Sequence, residues 1–561
     1  MGLSVYVLYS VFRPQPALQY RMTFLAVVLP LTFLAFPDGR KWRGRGLALA
    51  SLVVAVYPLV VFDDFIRRTV TPTTTDIFMG LATLALLLEA TRRTVGPVLP
   101  MVCLGFLGYA YYGGNLPDWP IAHGGYGPAR LVAQLYMGSE GIYGVPLDVA
   151  ATYIVLFSIY GAVLEYSGAS RFFMDLSFAA FRRSATAPGR TVTVAGFLLG
   201  TVSGSGVATT VSIGSAAWPI LRRAGYPPEQ AGGVLAAAGI GAILSPPTLG
   251  AAAFIIAELL EVSYLQVLVC ALVPTLLYYL GIFLAIEIDA RRFGARPVDP
   301  GVPSAWRLLA RYGYHFSSLV LIVVLMALGQ SPFKAVVYAT LVALVLSFLD
   351  RDARLGPRRT GQALAAGVRS VLPVAATTAA AGIIVGVVTL TGLGLNASSL
   401  IVDVAEGNLA VTAVLSGVAV MVLGLAVPVT ASFIIAATIV APALVDLLVT
   451  DGLTEELAKV TTYMFIFYYA VLSEVTPPTA LSAVAAAAIT GGNSFRTMLM
   501  TWKYTLPAFL VPVAFMVVPG GQALLGQAPA REIAAATAVA ALGVALLAAA
   551  TGGLLHRRGH T

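Results

Sequence analysis

Continuous apolar runs of about 17 to 25 residues, separated by short polar loops, occupy most of the chain from residue 20 onward. Runs of that length match the hydrocarbon thickness of a bilayer, so the pattern predicts membrane-spanning helices. Spans are expected at 20–36, 46–62, 77–90, 97–112 and 148–167. An interrupted apolar segment (191–220) and a long broken one (229–261) follow, then spans at 264–288, 313–329, 333–349 and 369–391. A second interrupted segment (409–449) and a second broken one (457–491) precede final spans at 501–518 and 532–554. The first apolar stretch, Leu3 to Phe12, lacks the basic flank of a cleavable signal peptide and reads as a partial or interfacial helix.

The interruptions recur. Ser203-Gly204-Ser205-Gly206 breaks the first short segment, and Ser245-Pro246-Pro247-Thr248 breaks the long one after it. In the second half Ala426-Val427-Pro428-Val429-Thr430 and Thr476-Pro477-Pro478-Thr479 stand in the matching places. Such paired breaks in two halves of a membrane chain point to the binding site of a transporter built from inverted repeats. If 191–220 and 409–449 are re-entrant hairpins, 26 of the 34 Lys and Arg fall in loops on one side. Six fall on the other, and Arg13 and Arg21 stay unassigned. This bias makes the first side, and the C-terminus, cytoplasmic. Five crossings then separate the hairpins, which inverts the second copy relative to the first.

Composition agrees with the pattern. The chain is 58% hydrophobic and 11% charged over 561 residues, which excludes ordinary soluble classes. Its net charge of +8 sits in short loops, so it does not mark a nucleic-acid surface. Cys103 and Cys270 lie in separate apolar runs, and a disulfide is not expected. A Gly-, Pro- and Tyr-rich connector divides the chain into a four-helix domain (1–112), a linker (113–147) and a transport domain (148–561). The repeats are expected at about 148–288 and 369–518.

Two adjacent prolines in a helix remove amide donors and clash with the preceding turn, at a cost of about 3 kcal/mol or more. The breaks therefore free the carbonyls of Leu244, Ser245, Val475 and Thr476, with the Thr248 and Thr479 hydroxyls beside them. Unwound backbone with hydroxyls suits a hard cation, and half-helix N-termini suit a carboxylate. The plainer alternatives are close packing of small residues, a kink without a ligand, and back-bonding of Ser and Thr to their own helices. Glu474 is the most deeply placed acid; mid-membrane charge costs at least about 2.5–3.5 kcal/mol and usually faces a cavity. No Walker sequence occurs, nothing indicates an enzyme, and none of the four histidines sits at metal-ligand spacing.

Taken together, several stretches resemble the fused membrane component of a tripartite ATP-independent periplasmic (TRAP) transporter, nearest its TAXI branch. They are Gly200-Thr-Val-Ser-Gly-Ser-Gly206, Trp218-Pro219-Ile220 through Tyr226, Ser245-Pro-Pro-Thr-Leu-Gly-Ala-Ala-Ala-Phe254, Gly424-Leu-Ala-Val-Pro-Val-Thr430 and Ala470-Val-Leu-Ser-Glu-Val-Thr-Pro-Pro478. The connector from Gly124 to Pro146 fits the same branch. Two positions depart from the pattern: Thr209 stands where an Asn is expected, and Ala426-Val427-Pro428 replaces a glycine-methionine-proline tip.

The resemblance implies an all-α, inverted-repeat elevator fold with two re-entrant hairpins and a small-subunit-like N-terminal domain, in a bacterial inner membrane. It implies sodium-coupled uptake of a small carboxylate, delivered by a TAXI-type periplasmic binding protein, with the permease a monomer. The resemblance carries the sodium and substrate sites onto Ser203, Gly204, Ser205, Pro246, Pro247, Pro428, Thr430, Thr476, Pro477 and Pro478; joined with the residues read above, the candidate sodium ligands are Ser203, Gly204, Ser205, Ser245, Pro246, Pro428, Thr430, Glu474, Thr476 and Pro477. Substrate contacts would come from Ser205, Thr209, Thr248, Thr430 and Thr479. The competing reading is a proton-coupled organic-anion carrier using Glu474 with no obligatory partner; a gated pore is a third.

Overall fold

A long central helix organises the molecule. Pro357–Thr391 runs for 35 residues with Pro357 at its first turn and Gly392 in the left-handed region (φ 69°) ending it. At 1.5 Å per residue it is about 52 Å long, well beyond the roughly 30 Å needed to span the bilayer core, so it tilts or projects. The computed structural model describes residues 1–39, 41–116, 121–181, 186–298, 301–425 and 427–552, and for Lys41, Val202 and Ser203 the backbone alone. Among these residues the secondary structure is helical, with no strand. Among the described residues, nine helices are long and apolar enough to cross a membrane, and two bent pairs bring the number to as many as eleven. This is a polytopic all-α membrane protein.

The N-terminal helices Ala17–Ala35, Lys41–Val60, Thr74–Val95 and Val98–Tyr112 pack together, and three of them lean on Pro357–Thr391. Thr91 donates to the Ala376 carbonyl (3.2 Å), Cys103 to Ala380 (3.4 Å), and Tyr126 of the connector to Leu390 (2.9 Å). The short helix Gly2–Ser10 joins the same surface through Ser4 and the Leu364 carbonyl. Arg21 ties this group to the start of the next span through Asp148 (2.6 Å) and the Tyr143 carbonyl (3.0 Å). That span, Val145–Tyr166, packs on Pro357–Thr391 in turn. Local signals start the helices: a Thr73–Asp76 capping box opens Thr74–Val95, and Ser263–Gln266 opens Tyr264–Arg292.

Some elements differ from the sequence expectation. The region between residues 391 and 409, expected as a connection, carries the helix Leu393–Val404, set off by Gly392. The span expected at 313–329 is His315–Ala327, preceded by an amphipathic helix, Ala305–Tyr312, bent by 66° against it. Its charged Arg307 and Arg311 conceal it from a search for continuous apolar runs. The second interrupted segment continues beyond its hairpin as Ala441–Thr450, bent by 51° from Val429–Ile439, where Pro442 enters at the first turn.

Candidate transport site between the repeats

Each copy contains a helical hairpin and a broken helix. In the first, Ala187–Ser203 turns at Gly204 and Ser205 into Gly206–Arg223. Gly204 has φ 60°, a conformation that costs other residues a Cβ clash, and the Ser205 hydroxyl caps the returning arm at the Ala208 amide (3.5 Å). The broken helix is Pro228–Leu244, a turn in which the Gly250 amide donates back to the Ile243 carbonyl (2.7 Å), then Ala251–Leu259. In the second copy Leu409–Gly424 turns into Val429–Ile439, with Pro428 at the N-cap, and Glu455–Leu472 breaks before Leu481–Thr490. The peptide bonds Pro246–Pro247 and Pro477–Pro478 are both cis.

The copies interlock reciprocally. The returning arm of the first hairpin packs on Leu481–Thr490, the second half of the second broken helix. The returning arm of the second hairpin packs on Ala251–Leu259, the second half of the first. Glycines let the elements approach. Within the first copy, a Cβ at Gly196 or Gly200 would strike Ala238 or Ala242, and one at Gly239 would strike Thr210. Close packing therefore explains these three glycines. Gly206 differs, because a side chain there would run into the carboxylate of Glu474 from the opposite copy.

Glu474 lies in a short 3-10 turn, Ser473–Val475, at the second break. Its carboxylate accepts from Ser482 (3.2 Å), and among the described residues it makes no ion pair. Glu474 as a whole residue is partly buried, while Ser205 and Ala208 of the first hairpin are exposed. Ala480, just before Ser482, has φ 32°, a strained conformation for a residue with a side chain.

The family model described as "Tripartite ATP-independent periplasmic transporter, DctM component" matches residues 82–521. The chain belongs to that family. It is also similar, at 29% identity over 207 residues, to the C4-dicarboxylate TRAP transporter large permease protein DctM of Pseudomonas aeruginosa. That alignment takes in 36% of this chain and 48% of the relative, so the chain spans about half the length of the curated relative it matches. The family match begins inside Thr74–Val95 and includes both hairpins and both broken helices.

Within this DctM-family chain the two breaks are not equally free. In the first, Thr275 donates to the Leu244 carbonyl (2.7 Å) and Tyr264 to the Pro247 carbonyl (3.0 Å). The Ser245 hydroxyl bonds the Gly241 carbonyl (2.7 Å) and the Tyr279 hydroxyl (2.9 Å). The Leu244 carbonyl, expected to be open to a cation, thus already has a donor on the next helix, and the Ser245 hydroxyl is held by its own helix and by Tyr279. The carbonyls of Thr248 and Leu249 also approach the hairpin tip, each 3.7 Å from where a Cβ on Gly204 would lie. The Thr248 hydroxyl donates to the Gly200 carbonyl (3.0 Å), so it braces the hairpin. In the second break Thr476 back-bonds to Leu472 (2.7 Å) and accepts from Trp502 (3.4 Å).

The remaining candidates divide. Thr209 is buried, and among the described residues its hydroxyl and those of Thr430 and Thr479 form no hydrogen bond. The side chain of Ser203, and Ala426 of the second tip, lie outside the described residues. Sequence reasoning did not single out Ser482, Thr275, Tyr279 or Trp502. Ser482 carries a weak signal, a hydroxyl in the first turn after the proline break; the others are ordinary residues of apolar spans, found only through folding. Replacing Thr275 with Val leaves the Leu244 carbonyl unpaired in a buried setting, and should lower stability by about 1–3 kcal/mol. A thermal-midpoint comparison of purified wild-type and variant protein checks this; no change would mean the carbonyl finds another donor.

Proposed function

We propose that this chain is the membrane component of a TAXI-branch TRAP transporter. It takes up a small carboxylate, delivered by a periplasmic binding protein, in exchange for the free energy of an inward sodium gradient. The observation that carries this reading is the reciprocal interlock, with Glu474 of one copy pressed against Gly206 of the other. A cation held there would meet a carboxylate, unwound carbonyls and hydroxyls, the oxygen set that hard cations favour. The named relative handles C4-dicarboxylates, which makes such acids the first to try. Small- and large-subunit functions are joined in one polypeptide, with the C-terminus cytoplasmic.

An elevator motion is supported by an asymmetry against the central helix. The second hairpin's returning arm packs on Pro357–Thr391, and Ala251–Leu259 packs on the segment beginning at Val145. The first hairpin's returning arm instead leaves Ser205, Ala208, Ser212 and Ser215 exposed along one face. With the first hairpin on the cytoplasmic side, this arrangement corresponds to an inward-facing state. The outward-facing state would exchange the roles of the two hairpins.

Proteoliposomes containing the protein, its soluble partner and a labelled C4-dicarboxylate should accumulate label only under an inward sodium gradient. Uptake indifferent to sodium would defeat this proposal. A second reading, proton coupling without an obligatory binding protein, is favoured by the absence of any ion-pair partner for Glu474 among the described residues. Glu474→Gln separates the two. Under sodium coupling it should raise the sodium requirement about tenfold or more, the scale of one lost charge-assisted interaction. Loss of pH dependence with sodium dependence intact would favour the proton instead.

A further inference from the structure

An open cleft of about 480 Å³ lies in the N-terminal domain, away from the repeats. Asp38, Trp42, Arg43, Glu89, Arg92 and Arg93 line it. They come from the ends of three spans: the loop after Ala17–Ala35, the first turns of Lys41–Val60 and the last turns of Thr74–Val95. The cleft therefore sits where the chain leaves the membrane.

Two observations about it are independent. The first is an ion network poor in acid: Arg92 bonds Asp38 (2.5 Å) and Glu89 (2.7 Å), and Arg93 also bonds Glu89 (2.7 Å). Arg43 stacks only on Trp42, 5.6 Å from the ring centre, and has no ion pair among the described residues. Among the described residues, Arg92 and Arg93 thus take up both carboxylates and leave the Arg43 guanidinium without one. The second is that the Arg93 side chain, only 6% exposed and stacked on Phe33, keeps its Nη1 buried with no hydrogen-bond partner among the described residues. A guanidinium N–H held in a buried site without an acceptor is costly unless something supplies one.

We propose that this cleft binds the phosphate headgroup of an anionic glycerophospholipid, with Arg93 and Arg43 as its ligands. Arginine matches a phosphate with two parallel donors, and basic clefts between spans at the membrane surface suit such headgroups. The rim argues for a lipid over a free anion. Trp42 is 66% exposed at the level where indole rings prefer the interface. Leu49 (65%) and Val53 (55%) continue from Trp42 at helical spacing, so an exposed apolar strip leads from the cleft into the membrane, where acyl chains would lie.

Full-length protein in neutral detergent, titrated with phosphatidylglycerol, phosphatidylcholine or inorganic phosphate, tests this through the thermal midpoint. Phosphatidylglycerol should raise the midpoint, and the other two should not. Arg93→Gln should weaken its apparent affinity about tenfold or more, and Arg43→Gln by at least about threefold. Among the described residues Arg43 has no ion pair, so its variant reads the site even if Arg93→Gln folds poorly. An equal response to phosphatidylcholine or to inorganic phosphate overturns the proposal, as does an unchanged phosphatidylglycerol response in Arg43→Gln and in any folded Arg93→Gln.

Discussion

Gly206→Ala is expected to reduce uptake by at least about tenfold while leaving the protein folded and inserted. The Cβ of alanine would occupy space now filled by the Glu474 carboxylate, and would come within 3.2 Å of Ile243 Cδ1 and 3.3 Å of Ile240 Cα. The carboxylate ends a flexible side chain, so it yields first. The backbone around Ile240 is only tightly approached, which keeps the cost in stability small. The substitution therefore displaces a charged group at the junction of the two copies without opening a cavity. Gly105→Ala is the control, because a Cβ there meets nothing within 4 Å. Transport assays in proteoliposomes, paired with thermal midpoints, measure both halves of the expectation. Normal uptake by Gly206→Ala would show that the position of Glu474 is unimportant.

Lys503→Met should be the most destabilising of these changes, by about 3–5 kcal/mol. Lys503 bonds both oxygens of Asp289, at 2.5 and 2.7 Å, and Tyr504 donates to the same carboxylate at 2.7 Å. The side chains are only 15% and 6% exposed. Asp289 ends the last helix of the first copy, and Lys503 lies in Ser494–Val517, the last helix of the second. The pair therefore fastens the two copies together. Without the lysine, a buried carboxylate keeps one hydroxyl partner and no cation. The double variant Lys503→Met/Asp289→Leu should recover most of the loss, since removing both charges leaves none uncompensated. Denaturation followed by size-exclusion fluorescence reports the difference; equal stability of single and double variants would mean that the pair is solvated.

Much of this architecture was legible before folding because lipid forces backbone groups to pair within a helix, and long apolar runs betray that. The proline doublets and the glycine–serine tip were legible for the same reason, as breaks with no place in a lipid-facing helix. What escaped was anything amphipathic or defined by distant partners. Ala305–Tyr312 presents charges, and Leu393–Val404 is short, so neither appears as a run. Leu244 looked free from its proximity to Pro246, but its partner Thr275 is 31 residues away. Glu474 was legible as a deep acid; its neighbour Gly206, 268 positions earlier, was legible only as part of a small-residue motif.

The two hairpins are expected to enter from opposite sides of the membrane and to return to the side they entered. Cysteine labelling with a membrane-impermeant reagent tests it most directly, using Arg171→Cys and Arg223→Cys to flank the first hairpin and Asp403→Cys and Asp451→Cys to flank the second. All four positions are exposed, and the native Cys103 and Cys270 are buried. Intact spheroplasts should label residues 403 and 451 only, with 171 and 223 reacting after permeabilisation. Labelling that separates 171 from 223, or 403 from 451, or that puts all four on one side, would contradict the account.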